Sequence, residues 1–413
     1  MAVGATIGVL VGRENTFPLP FIDHINARNI PGVRAELVKL GGSAMDEEIP
    51  YGVIVDRISH EVPYYRCYLK AAVLRGATVI NDPFWWGSDD KFLENLIAEK
   101  VGVAVPKTLL LPNKAYVEGI TGESLRNLTA PLDWEAMLDY VGRPAILKPA
   151  IGGGWKSVYK VNDVHDLVRA YNETGELQMI LQEFIVWEQY VRCICLGRTH
   201  IRAIPYDPTA PFDRRYVLDD NYLSPDLHAR VVSDALKLVN ALGYDMDTVE
   251  FAIRDGVPVA IDFLNPAPDF DSFSIKQANH DWVIETMGDL VVGYAQGNDA
   301  PPSGYIWLQN PMRPSPPRSP FAPPAGSIPS ILESDALASA AGAIGAVVGS
   351  AGVVAGSAAN AAGAVASSAR GGRSRSGSAR RSAAEAPSVG PGGDGVVEEN
   401  AAPPTPKGRS RKK

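Results

Sequence analysis

The sequence predicts an α/β chain, α+β in its later part, followed by a tail that has no core of its own. Three observations carry this. The first eighty residues alternate short apolar strands with helical stretches, the pattern of a small, mostly parallel open sheet. Beyond Ala145, apolar runs come in pairs around glycine-bearing loops, as antiparallel strands do. From about Ser303 the composition turns to Pro, Ala, Gly and Ser, which cannot bury enough apolar surface to offset the entropy of ordering.

At 413 residues the chain exceeds one ordinary core, so several domains are expected. The expected division is 1–83, a small α/β domain, then 84–297, then a disordered tail over 298–413. The middle part divides into a small lobe over about 105–185 and a C-terminal lobe over about 186–297. Charge follows the same break. Up to Pro301 there are 27 Lys+Arg against 41 Asp+Glu, whereas the remainder has 12 against 6. The body is acidic and the tail basic, which suits the tail to acidic partners and gives no reason to expect a specific nucleic acid.

In the first part the strands are "ATIGVLVG" (Ala5–Gly12), "VRAELVKL" (Val33–Leu40), "YGVIVD" (Tyr51–Asp56) and "ATVIND" (Ala77–Asp82). Between the last two, "EVPYYRCYLKAAVLRG" has helical spacing and stops at Gly76. "SDDKFLENLIAEKVG" follows as a helix with Ser88 as cap and Phe92, Leu93, Leu96, Ile97 and Val101 as its apolar stripe. A later helix, "SPDLHARVVSDALKLVNALG", has Ser224 as cap, Pro225 at its first position and Gly243 as terminator.

The N-terminus lacks the basic start of a signal peptide, so a cytoplasmic protein is expected. Ala336–Ala369 is almost wholly Ala, Gly, Val and Ser, which supply little insertion energy, so a membrane span is not expected. Cys67, Cys193 and Cys195 lack zinc spacing, and the last two read as small core residues of a strand.

Three stretches carry candidate chemistry. "AILKPAIGGGWKSVYKV" (Ala145–Val161) reads strand, glycine loop, strand, with Lys148 inside an apolar run and Gly152, Gly153 and Gly154 after it. Backbone N–H groups of such a loop can approach phosphate, though a flexible hairpin tip would look the same. In "LQMILQEFIVWEQYVRCICLG" (Leu177–Gly197), period two sets Val191, Cys193 and Cys195 on one face and Arg192 with Ile194 and Leu196 on the other. Arg192 cannot shed its charge, so it needs an anion, either a ligand or an internal partner.

The third stretch, "TVEFAIRDGVPVAIDFLN", is a hairpin. A two-residue turn at Asp255-Gly256 would send Glu250 and Asp262 to opposite faces, while a three-residue loop would set them across from each other. Facing carboxylates repel unless a cation lies between them. Oxygen ligands without His or Cys favour Mg²⁺ or Mn²⁺, with the Asn265 amide as a third ligand.

These pieces, in this order, resemble the ATP-grasp superfamily, which includes D-alanine–D-alanine ligase, glutathione synthetase and biotin carboxylase. The likeness spans about Met1 to Gly297 and includes an Asp-Lys pair, Asp90-Lys91, that opens a helix. It implies an ATP-grasp fold preceded by a pre-ATP-grasp domain. It further implies that Lys91 and Lys148 hold ATP phosphates and that the loop from Gly152 through Gly153, Gly154, Trp155 and Lys156 to Ser157 covers them. The Gln182-Glu183-Phe184-Ile185 hinge, through the backbones of Glu183 and Ile185, would meet adenine, and Glu188 the ribose. Arg192 would meet the transferred phosphoryl group, with Glu250, Asp262 and Asn265 as magnesium ligands. Two departures stand out: Asp262 and Asn265 are separated by two residues where the family commonly has one, and the acid pair runs Glu then Asp.

The activity implied is ligation of a carboxylate to an amine through an acyl phosphate, on small-molecule or peptide substrates, with ATP and Mg²⁺. A small-molecule kinase and a nucleotide-binding scaffold are the alternatives, and homo-oligomerisation is left open. "PYDPTAPFDRRYV" (Pro205–Val217) is expected to loop over the site, with Arg202, Arg214 and Arg215 either binding a substrate carboxylate or facing solvent.

Overall fold

A computed structural model describes residues 6–46, 48–84, 90–153, 156–219 and 221–298. The chain opens with β1 (Thr6–Leu10), α1 (Pro18–Ala27), β2 (Arg34–Leu37), β3 (Val53–Asp56), α2 (Pro63–Leu74) and β4 (Thr78–Ile80). The four strands form a parallel sheet in the order β2-β1-β3-β4. The predicted strands are all present, each trimmed to the residues that pair. Helix α2 covers one face, with Leu69 and Ala72 against Ile54 and Val79. Phe17, Phe21 and Ile25 cover Ile7, Val9 and Val53 on the other. Burial on both faces explains why these strands read as continuous apolar runs.

A second sheet contains β5 (Thr108–Leu111), β6 (Ala145–Pro149), β7 (Tyr159–Val161) and β8 (Met179–Glu183), antiparallel in the order β5-β8-β6-β7. Helices α4 (Trp134–Val141) and α5 (Val164–Asn172) cover the face that carries Leu109, Leu111, Ala145, Leu147, Val161 and Leu181. By the period of two, the opposite face carries Thr108, Ile146, Lys148, Lys160 and Gln182.

The third sheet, β10-β9-β11-β12, is antiparallel: β9 (Gln189–Leu196), β10 (His200–Pro205), β11 (Met246–Arg254) and β12 (Val257–Asp262). Helix α6 (Pro225–Leu242) packs on Val191, Cys193, Cys195 and Phe251, so both cysteines are core residues as expected. Its ends follow the sequence: the Ser224 hydroxyl accepts from Leu227 N–H at 3.3 Å, and Gly243 adopts φ +77° at the C-terminus. On the other face, Ile194, Leu196 and Met246 share one core with Ile7 of β1, with Phe17 and Phe21 at the start of α1, and with Met287 and Val291 of α7 (Gln277–Ala295).

Polar ties reinforce that shared core. Arg57, just past β3, is buried; it pairs with Glu14 and donates to the Pro268 carbonyl. Glu14 in turn accepts from Phe270 N–H at 2.9 Å. The Asn81 amide exchanges hydrogen bonds with the Met246 backbone at 2.6 and 2.9 Å. A Cβ on Gly12 would lie 2.3 Å from the Arg57 carbonyl oxygen, so only glycine lets these two loops touch. The N-terminal loops therefore grip the segment that follows β12.

Helix α3 (Lys91–Lys100) departs from expectation. Its cap is Asp90, which accepts from Phe92 and Leu93 N–H at 2.9 Å; Ser88 lies outside the described residues. Leu96 of the expected apolar stripe is exposed, and the buried face carries Lys91, Glu94, Asn95, Ile97 and Ala98. The start of the helix is thus buried largely through polar residues, while Leu93, Ile97 and Val101 of the stripe meet the core under α6. No helix among the described residues is long and apolar enough to cross a membrane, and the expectations for the tail, Ala336–Ala369 included, fall outside them.

Candidate active site

The hairpin that bears the acid pair is closed by a two-residue turn, not three. Arg254 pairs with Val257, and Asp255 and Gly256 take φ +52° and +69°, the left-handed pair of a type I′ turn. Yet Glu250 lies directly across from Asp262, because a bulge intervenes: Phe251 pairs with Ala260 and Ile261 is the extra residue. The outcome expected from the sequence holds by a different mechanism.

Glu250 also pairs across β9 with Arg192, so Arg192, Glu250 and Asp262 form one row across the sheet. The Arg192 guanidinium stands 3.5 Å from the Glu250 carboxylate and donates to the Thr248 hydroxyl at 2.9 Å and the Tyr206 hydroxyl at 3.3 Å. Its carbon lies 5.3 Å from the Tyr206 ring centre and 6.0 Å from that of Tyr216. The environment is a tyrosine cage, not the aliphatic one that period two along β9 implied. Burial would lower the Arg192 pKa, but Tyr216, Glu250 and Tyr206 outweigh it and hold it above the ordinary value. Arg192 Nε is buried without a partner among the described residues.

Tyr190 donates to Glu250 at 2.5 Å. Burial pushes the Glu250 pKa up, Arg192 opposes this, and Asp262 pushes it further up. That mutual repulsion is what a divalent cation between the two would relieve, so the donor set fits a hard ion. Asn265 is brought round to the same place. Its side-chain amide donates to the Thr248 hydroxyl at 3.0 Å, and its backbone N–H donates to Asp247 Oδ1 at 2.9 Å. Asp247 is fully buried and accepts as well from Thr248 N–H at 2.8 Å, while its Oδ2 has no partner among the described residues. Burial holds its carboxyl well above the ordinary range. Asp247 thus ties the segment after β12 back to β11, which is how two spacers can serve where one is usual.

From the second sheet, Lys148 comes within electrostatic reach of Asp262 and Glu250. Burial pushes its ammonium below the ordinary range; Asp262 opposes, Lys91 adds to the effect, and Glu94 and Glu250 oppose. Lys91 Nζ donates to the Gly152 carbonyl at 2.7 Å, and its backbone N–H to the Ala150 carbonyl at 2.9 Å, so the helix start and glycine loop are joined. Gly152 needs its φ of +99°. A Cβ on Gly153 would meet nothing within 4 Å among the described residues, so none of these demands glycine there. Lys156 is exposed and Ser157 half-buried, while Gly154 and Trp155 lie outside the described residues.

The hinge docks β8 onto the third sheet. Glu183 bonds Arg254 at 2.6 Å, its N–H donates to the Lys107 carbonyl at 2.8 Å, and Glu188 N–H donates to the Ile253 carbonyl at 2.8 Å. Ile185 is buried, Glu188 is exposed, and Phe184 lies under Lys160, whose Nζ is 4.3 Å from the ring centre. Gln182 is buried on the face that carries Lys148. Of the three arginines weighed for substrate, Arg202 bonds Asn279 at 2.7 Å, Arg215 bonds the Ala210 carbonyl at 3.0 Å, and Arg214 is exposed. None of these contacts lies with the Glu250 row. Tyr190, Tyr206, Tyr216, Thr248, Asp247 and Glu94 went unremarked in the sequence. Period two could have found Tyr190 and Thr248, each two residues before a charged residue of the row.

No family model matches the chain. Among curated proteins it is similar to the D-alanine–D-alanine ligase of Polynucleobacter asymbioticus, 26% identical over 174 residues, 38% of this chain and 51% of that one. A D-alanine–D-alanine ligase of Ralstonia nicotianae is 28% identical over 166 residues, 36% of this chain and 50% of that one. The chain spans about half the length of the curated relatives it matches. Among solved structures it is similar to an ATP-grasp RimK domain protein from Sphaerobacter thermophilus, with a TM-score of 0.51 and 20% identity over 70% of this chain and all of that one.

Proposed function

We propose, for a chain that has the ATP-grasp fold, ATP-dependent ligation of a carboxylate to an amine. One observation carries the reading: Lys148 of the second sheet lies within electrostatic reach of Asp262 and Glu250 in the row they form with Arg192 on the third, and of Lys91. Three cations and an all-oxygen donor set around one cleft suit a triphosphate and a hard divalent ion. Mg²⁺ held by Glu250, Asp262 and Asn265 would neutralise phosphate charge.

Lys91 and Lys148 hold the phosphates, with the backbone of Gly152 and Gly153 beside them. Arg192, pinned by Thr248 and Tyr206, faces the phosphoryl group in transfer, where charge develops. The Glu183–Ile185 backbone meets adenine and Glu188 the ribose. A substrate carboxylate oxygen attacks the γ-phosphorus while the bond to ADP breaks, giving an acyl phosphate. An amine nitrogen then bonds the acyl carbon, phosphate leaves, and the amine gives up a proton. The protein supplies position and charge rather than a nucleophile.

The test is a screen of amino acids, peptides and small acids for stimulated ADP formation by the purified chain. The reading expects ADP only when a carboxylate and an amine are both present. ADP formed with an alcohol alone would make the protein a kinase, and nucleotide binding without turnover on any pair would favour a scaffold.

A further inference from the structure

A buried hydrogen-bond chain beside the hinge bears on which nucleotide base the cleft takes. The Thr108 hydroxyl has one hydrogen. It lies 3.0 Å from the Pro106 carbonyl oxygen, which can only accept, so the hydrogen is spent there. Toward Gln182, 2.9 Å away, the hydroxyl can therefore only accept, and Gln182 must present its NH₂ group to it. This fixes the amide's orientation from the chemistry of the neighbours, independently of how the two amide atoms are assigned. Gln182 Oε1 then points away from Thr108, and it accepts no hydrogen bond among the described residues.

Thr108 and Gln182 face each other in the register of β5 and β8, and Gln182 faces Ile146 of β6. All three lie on the face that carries Lys148, opposite the helix-covered core. Gln182 is the residue just before the Glu183–Ile185 hinge and is 3% exposed, so a wrongly oriented amide there could not be corrected by solvent.

We propose that Thr108 is a positioning residue: it holds Gln182 with its carbonyl oxygen toward the cleft, so that Gln182 selects a base that offers a 6-amino donor over one with a 6-oxo acceptor. This rests on the nucleotide reading above and deepens it. A 6-oxo base would set two acceptors against each other beside the hinge, a mismatch in a water-poor site.

ATP and ITP are the probes, since they differ at this edge of the base alone. Calorimetric titration of each, with Mg²⁺, into the full chain should show ATP preferred. Thr108→Val keeps the shape and β-branching but offers no acceptor, and should cut the ATP-over-ITP ratio roughly tenfold. Thr108→Ser should restore it. In a Gln182→Met background Thr108→Val should change the ratio no further, which a general structural effect of Thr108 would not produce. An unchanged ratio in Thr108→Val, or an equal change with and without Gln182, overturns the inference while leaving ATP binding intact. Failure of the unaltered chain to bind either nucleotide would overturn the nucleotide reading instead.

Discussion

Lys148→Met separates a lysine kept for a ligand from one kept for the fold. In the ligand-free protein its ammonium is held below the ordinary 10.5, chiefly by burial, with Asp262 the largest opposing influence. The sign follows by linkage. Between the lowered folded pKa and 10.5 the unfolded chain binds the extra proton, so stability rises with pH across that window, and at neutral pH the charge costs stability. Replacing Lys148 with an uncharged side chain of similar length should therefore leave the ligand-free melting temperature unchanged or raised. The same change should remove a charge-assisted contact to phosphate worth about 1.5–3 kcal/mol, roughly a ten- to hundredfold loss of ATP affinity. Lys107→Met is the control: Lys107 is exposed, 5.7 Å over the Tyr140 ring, and should change neither quantity. Calorimetry reads the affinity and a thermal melt the stability. Had Lys148 been a structural partner of Asp262, its loss would strand that half-buried carboxylate and lower stability. A marked fall in melting temperature, or equal affinities for the two variants, would refute the reasoning.

Three further outcomes are expected. Asp247→Ala should weaken Mg²⁺-dependent nucleotide binding because Asn265 N–H loses its acceptor, and Asp247→Asn, which keeps an acceptor, should restore most of it; equal losses would remove Asp247 from the account. Glu250, raised above its ordinary 4.5 mainly by burial, holds its proton longer when folded, so ligand-free stability should fall as pH rises above about 4.5 toward the folded pKa. Glu250→Gln should flatten that slope in melts across pH, and an unchanged slope would contradict it. We propose that the chain to Gly297 folds without the remainder; a truncation there should retain ATP affinity, and unfolding or loss of nucleotide would count against it.

Much of this was legible in the sequence for physical reasons. The parallel strands, both cysteines in the core and the ends of α6 follow from burial and capping, which are local in sequence. The Glu250–Asp262 pairing was anticipated, but through the wrong turn. Asp255-Gly256 fits a two-residue turn, and no rule of periodicity announces a bulge at Ile261. Helix α3 was legible in part: Ile97, Leu93 and Val101 of the apolar stripe meet the core, but Leu96 is outside, and polar Lys91, Glu94 and Asn95 are inside, where apolar spacing gives no signal. The tyrosine cage was hidden because Tyr206 and Tyr216 approach Arg192 from β10 and the loop beyond it, contacts that only the tertiary fold creates. Asp247 was passed over for the same reason: a lone aspartate reads as a surface residue in the sequence, and only the tertiary fold buries it.

The central claim is that Glu250 and Asp262 face one another to share a divalent ion with a triphosphate held by Lys91 and Lys148. Titration of ATP into the full chain with and without Mg²⁺, repeated for Asp262→Asn, tests it most directly. The account predicts that Mg²⁺ strengthens ATP binding in the unaltered chain by about tenfold or more and that Asp262→Asn abolishes this gain while the metal-free fold persists. ATP binding that is indifferent to Mg²⁺, or a Mg²⁺ gain that survives Asp262→Asn, would contradict it.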